Sequence, residues 1–97
     1  MRRREDQPLI ISIGFEGNLK IWDASTLTLL KKFEEVNRYY DVVYVGFFDW
    51  LVVGGEKGIG CWSLNGFEKI KEIGHLGAVN RVCFDSNVRK LYFAQKE

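Results

Sequence analysis

One histidine, two cysteines and 13 acidic side chains are the chain's candidate general acids, bases, thiol nucleophiles and metal ligands. An active site needs such groups to converge. His75 follows Gly74 in a turn and reads as a structural residue capping the entry to the next strand. Glu16 and Glu56 stand forty residues apart in matching glycine-rich turns, so they could face one rim. There they could serve as the paired carboxylates of an all-β hydrolase or lyase. No histidine accompanies them, and this enzymatic reading ranks below a non-catalytic one. The segments "GFEG" and "VVGGEKGIG" have enough glycine for a phosphate loop, but each runs into a strand closing on Trp. A phosphate loop opens a helix, so hairpin turns account for them better. No Gly-x-Ser-x-Gly, paired-His or zinc-type Cys/His spacing occurs. No catalytic residue, metal or cofactor is expected.

The elements that must position these residues follow from composition. The 97 residues are 46% hydrophobic, with three Trp, four Tyr and seven Phe, enough for a core. A net charge of +1 is too small to draw in nucleic acid or an anionic membrane by field alone. Arg2, Arg3 and Arg4 are half neutralised by Glu5 and Asp6, and residues 1–8 are expected as a solvated, disordered start before a folded unit over 9–97. Cys61 and Cys83 sit in alternating apolar runs, where thiols behave as small buried hydrophobes. No apolar run approaches the roughly 20 residues of a membrane span, and no secretory h-region opens the chain. The expected setting is intracellular, cytoplasmic or nuclear, with other proteins or peptides as partners.

Short apolar runs such as "LIISI", "LKIW", "DVVYV" and "WLVVGG" are rich in β-branched and aromatic residues and are punctuated by glycine. They read as strands. Sliding the sequence by forty places Trp22 on Trp62, Gly14 on Gly54, Val42 on Val82 and Leu51 on Leu91, with no gap. A period of about 40 to 45 residues carrying four short strands is the pattern of a propeller blade.

At these residues the chain resembles the WD-repeat β-propellers. Gly74 and His75, followed by Val79, Val82 and Phe84, match the opening of that repeat, and "EGNLKIWD", closing on Trp22 and Asp23, matches its end. The resemblance implies an all-β fold of antiparallel four-stranded blades in an incomplete ring. Lettering each blade's strands a to d outward, b, c and d are expected near 9–13, 18–22 and 28–33. A whole blade follows near 41–45, 51–53, 59–62 and 68–73, and strands a and b of a third near 79–84 and 91–94. In the family a hydrogen-bonded His, Ser, Trp and Asp set often fixes each blade. Here Ser12 and Trp22 hold matching positions in the first repeat and Trp62 alone in the second, where Ser63 replaces the Asp and Glu35 stands at the place of His75.

The resemblance also implies a protein-interaction scaffold without chemistry of its own. The family commonly binds at the narrow end made by the d–a and b–c loops. Carried over, that end holds Phe15, Glu16, Arg38, Tyr39, Tyr40, Glu56, Lys57, Leu76 and Arg81. Arg and Tyr are over-represented in interface hot spots, which draws attention to "NRYY". Phe47, Phe48 and Trp50 form an apolar loop that reads either as a contact surface or as a local cluster. Nine strands cannot close a ring, and open blade faces invite association. A part of a larger propeller is expected ahead of a self-assembling oligomer, because merging the end strands would set two b strands against one slot.

Overall fold

The structure, a computed structural model, describes residues 7–35, 38–74 and 77–95. Nine strands run in order: β1 Leu9–Ile13, β2 Asn18–Asp23, β3 Thr28–Glu34, β4 Tyr39–Val45, β5 Trp50–Gly55, β6 Gly58–Ser63, β7 Glu68–Ile73, β8 Val79–Asp85 and β9 Lys90–Gln95. They form three antiparallel sheets, β1-β2-β3, β4-β5-β6-β7 and β8-β9, and no helix among the described residues. The expected strands are all present, most longer by a residue or two at their ends. Most of residues 1–8, the expected disordered start, lie outside the described residues. Pro8 is described, and its carbonyl accepts from the Ala24 N–H at 3.0 Å, carrying the β1–β2 ladder one step past Leu9.

Alternating side chains give each sheet two faces, and apolar burial packs the sheets face to face. Leu19, Ile21 and Phe33 of the first sheet press on Leu51, Val53 and Trp62 of the second. The reverse face of the second sheet, with Val45, Val52 and Ile59, takes Val79, Val82, Phe84 and Leu91 of the third. The four-stranded sheet is therefore sandwiched and holds most of the core. Gly54 makes the second contact possible, since a Cβ there would lie 2.8 Å from the Val79 carbonyl oxygen and 2.9 Å from Val79 Cγ1. Asp41 ties the same two sheets, its carboxylate accepting from the Val42 N–H and from the Val82 N–H, both at 3.0 Å.

The forty-residue repeat is written into the backbone. Among the described residues, the non-glycine positions with positive φ are Leu27, Asp49, Phe67 and Arg89, two pairs each forty apart. Register shifts recur at the same interval, at Ile21/Trp22 and Cys61/Trp62 and again at Tyr39/Asp41 and Val79/Arg81. One expectation is corrected. Trp22 pairs with Ile10 but Trp62 pairs with Leu51, so β1 and β5 match at an interval of forty-one rather than forty. The physical reason is turn length: the β5–β6 turn holds Glu56 and Lys57 alone, while the β1–β2 turn bulges around Phe15, Glu16 and Gly17.

Candidate interaction surface

The β1–β2 and β5–β6 turns and the β3–β4 connection lie at one end of the sheets. There the Gly14 carbonyl accepts from the Tyr39 N–H at 3.4 Å, and the Arg38 carbonyl accepts from the Glu56 N–H at 2.8 Å. These backbone ties hold three sequence-distant segments together. On them Phe15 and Tyr40 meet edge to face, with ring centroids 5.9 Å apart. The Tyr40 hydroxyl donates to Glu56 Oε2, and that bond, more than any other influence, raises the phenol's pKa. Phe15 is 69% exposed and Arg38, Glu16, Glu56 and Lys57 are exposed beside it. Arg81 is exposed on β8, on the face of the third sheet turned away from the second. Leu76 and His75 lie outside the described residues.

Tyr39 has a different place from the one expected. It is buried, its ring set edge to face on Trp62 at 6.0 Å, and its hydroxyl donates to Glu35 Oε1 at 2.9 Å. The register shift beside it turns its side chain inward toward the first sheet. Burial raises its pKa, and the Glu35 carboxylate adds to the rise. Glu35 also accepts from Lys69 Nζ at 2.9 and 2.7 Å, and Lys69 reaches Glu72 at 2.7 Å while its ammonium lies 5.2 Å from the Trp62 ring centre. Burial works against the Lys69 charge, but the two carboxylates outweigh it and raise its pKa; Lys69 in turn lowers that of Glu72. No pattern within a strand marks Lys69 or Asp41 for these roles, because their partners are 34 and 41 residues away.

The remaining positions singled out from sequence fall in the sheets. The Trp22 Nε1–H donates to Ser12 Oγ at 3.1 Å. Asp23 Oδ1 accepts from the Ser25 and Thr26 N–H groups at 2.8 and 3.2 Å, closing the β2–β3 turn, and these bonds lower its pKa. Ser63, in the matching place, accepts from the Asn65 N–H at 3.0 Å, so a hydroxyl does the carboxylate's work. Trp62 is 1% exposed, and among the described residues its Nε1 is buried without a hydrogen-bond partner. Gly74 follows β7 directly. Cys61 is half-buried, its thiol pKa raised by burial, but Cys83 is exposed, contrary to expectation, because among the described residues no sheet lies over its face of β8.

At the opposite end, Phe48 stacks on Trp50 with centroids 4.4 Å apart, Phe47 meets Phe48 edge to face at 4.7 Å, and the Arg89 guanidinium lies 4.3 Å over Phe47. Phe47 and Phe48 are more than half exposed, so this ladder is both a local cluster and an apolar patch. Among the described residues no group of three or more His, Cys, Asp or Glu is placed to hold a metal ion. No helix of the described residues is long and apolar enough to cross a membrane. No protein-family model matches the chain, and no curated protein matches it.

Proposed function

We propose that this chain is a non-catalytic protein-interaction scaffold of WD-repeat type, one part of a larger intracellular propeller assembly. On this reading the three sheets are blades, and β4–β7 is a whole one. The observation that carries it is the repeated stacking: two successive sheet contacts use equivalent faces, with Val42 and Val82, and Leu51 and Leu91, in the same roles forty residues apart. Repeat architectures of this kind serve as rigid platforms whose loops vary. The Phe15, Tyr40 and Arg38 end supports the binding role, because it pairs exposed aromatic and cationic groups with backbone ties that limit the entropy lost on binding.

Selection of a displayed random peptide library on the immobilised protein tests this. Peptides so obtained should bind the Phe15→Ala and Arg38→Ala variants at least about tenfold more weakly and the Phe47→Ala variant unchanged. Peptides that bind all three variants like the parent would remove this end from the reading.

A further inference from the structure

The stack has a direction, and its two outer faces are of opposite kinds. Within the chain, the face of the second sheet bearing Trp62 is covered by the Leu19 and Ile21 face of the first. The corresponding face of the third sheet, with Val82 and Leu91, is covered by the Val52 and Ile59 face of the second. Each contact thus joins a Trp-type face to the reverse face of the sheet before it. The first sheet has its own Trp-type face, on which Ile10 and Leu29 sit across from Trp22 in register and Ser12 and Lys20 pair alongside. Nothing in the described chain covers it: Ile10 is 43% and Leu29 46% exposed. At the other end of the stack, Cys83, Tyr92 and Ala94 share the reverse face of the third sheet, and Tyr92 is 53% exposed.

We propose that these two faces bind each other between copies of the chain, so that the Ile10, Trp22 and Leu29 face of one copy seats on the Cys83 and Tyr92 face of a second. The occupant follows from the chain's own two examples of what covers a Trp-type face. A symmetric contact between two Trp-type faces would instead bring Lys20 and Lys32, neighbours across β2 and β3, against their own copies. The reverse face offers an uncharged centre flanked by Arg81 and by the Asp85–Lys90 pair. Stacking also leaves each end sheet whole, so the two second strands that would compete in a merged sheet lie in separate layers. Two copies joined at both ends would bring six sheets together, within the roughly four to eight at which propellers close. The inference rests on the direction of stacking and stands apart from the loop-end binding reading.

The purified chain should sediment as a dimer at micromolar concentration, and a monomer up to the highest soluble concentration would overturn the proposal. The Ile10→Lys and Tyr92→Lys variants, changed at exposed positions, should each keep the parent's β-sheet circular dichroism and raise the dissociation constant at least about tenfold. Dimers of parental affinity in either folded variant would overturn it. A measurement independent of those variants fixes the faces. In Ile10→Cys protein, a short bis-maleimide should link the introduced thiol of one copy to Cys83 of the other, mapped by peptide mass. A link between two introduced thiols, or none, would refute head-to-tail contact.

Discussion

The Trp22 indole N–H reaches Ser12 Oγ at 3.1 Å, across a face of β1 and β2 that no other sheet of the described residues covers. Its repeat partner Trp62 has Val53 at the structurally equivalent place on β5, and no hydroxyl. One tryptophan is half-exposed and hydrogen-bonded; the other is buried and gains from packing what its N–H lacks. The Ser12→Ala change should therefore lower stability by about 1 kcal/mol, the worth of one part-buried hydrogen bond, measured by urea denaturation. A change within error would show that water replaces the hydroxyl.

Gly60 lies under the Trp62 ring, where an added Cβ would stand 2.7 Å from Cη2 and Cζ3. Gly60→Ala should cost about 1–3 kcal/mol, because the ring sits in a packed core and cannot swing away freely. Gly14→Ala is the control, since among the described residues nothing lies within 4 Å of the new Cβ. Its melting temperature should stay within about a degree or two of the parent's.

Gly58 has φ +116, and a Cβ there would fall 2.0 Å from the Ile73 carbonyl oxygen. Strain and steric overlap act together, so Gly58→Ala should exceed Gly60→Ala in cost and loosen the β6–β7 pairing. Amide exchange along β7 reports it; equal protection in both variants would count against the assigned strain.

Alkaline pH should destabilise the fold. Tyr39 and Lys69 both have raised pKa values in the folded state. A group whose folded pKa is raised contributes stability that is complete below its unfolded pKa and is lost as pH rises through the folded value. For Tyr39 the loss begins above 10.0, the ordinary phenol value, and Lys69 adds to it above 10.5. Tyr39→Phe should flatten the fall in melting temperature between roughly pH 10 and 11.5, and a profile identical to the parent's would exclude Tyr39 as a source.

Asp41 accepts two backbone bonds, one of them across the contact between the second and third sheets. Asp41→Ala should cost about 1.5–3 kcal/mol and selectively lower amide protection of Val82, where a charge-assisted bond is lost. Asp41→Asn should recover only part of this, because its amide nitrogen is a donor facing a donor.

Strand positions, turns and the division into sheets of three, four and two strands were legible in the sequence. The strands and turns follow from local alternation and glycine, the repeat from a forty-residue self-match, and the division into sheets is what the resemblance to WD-repeat propellers implied. Burial was not local in this sense. Trp22 and Trp62 end the same kind of strand with the same bulge, yet only Trp62 is sealed, because a second sheet lies over its face. Tyr39, Tyr40 and Phe15 all read as loop aromatics, and a register shift sent Tyr39 into the core while leaving the other two at the surface. Cys83 alternates as Cys61 does, but no described residue covers its face. The sequence by itself determined which segments are strands and, away from the register shifts, which side chains share a face. The tertiary structure alone decided which faces meet, since apolar burial depends on what lies opposite, and with it the tie of Asp41 to Val82 and the Glu35–Lys69–Glu72 network.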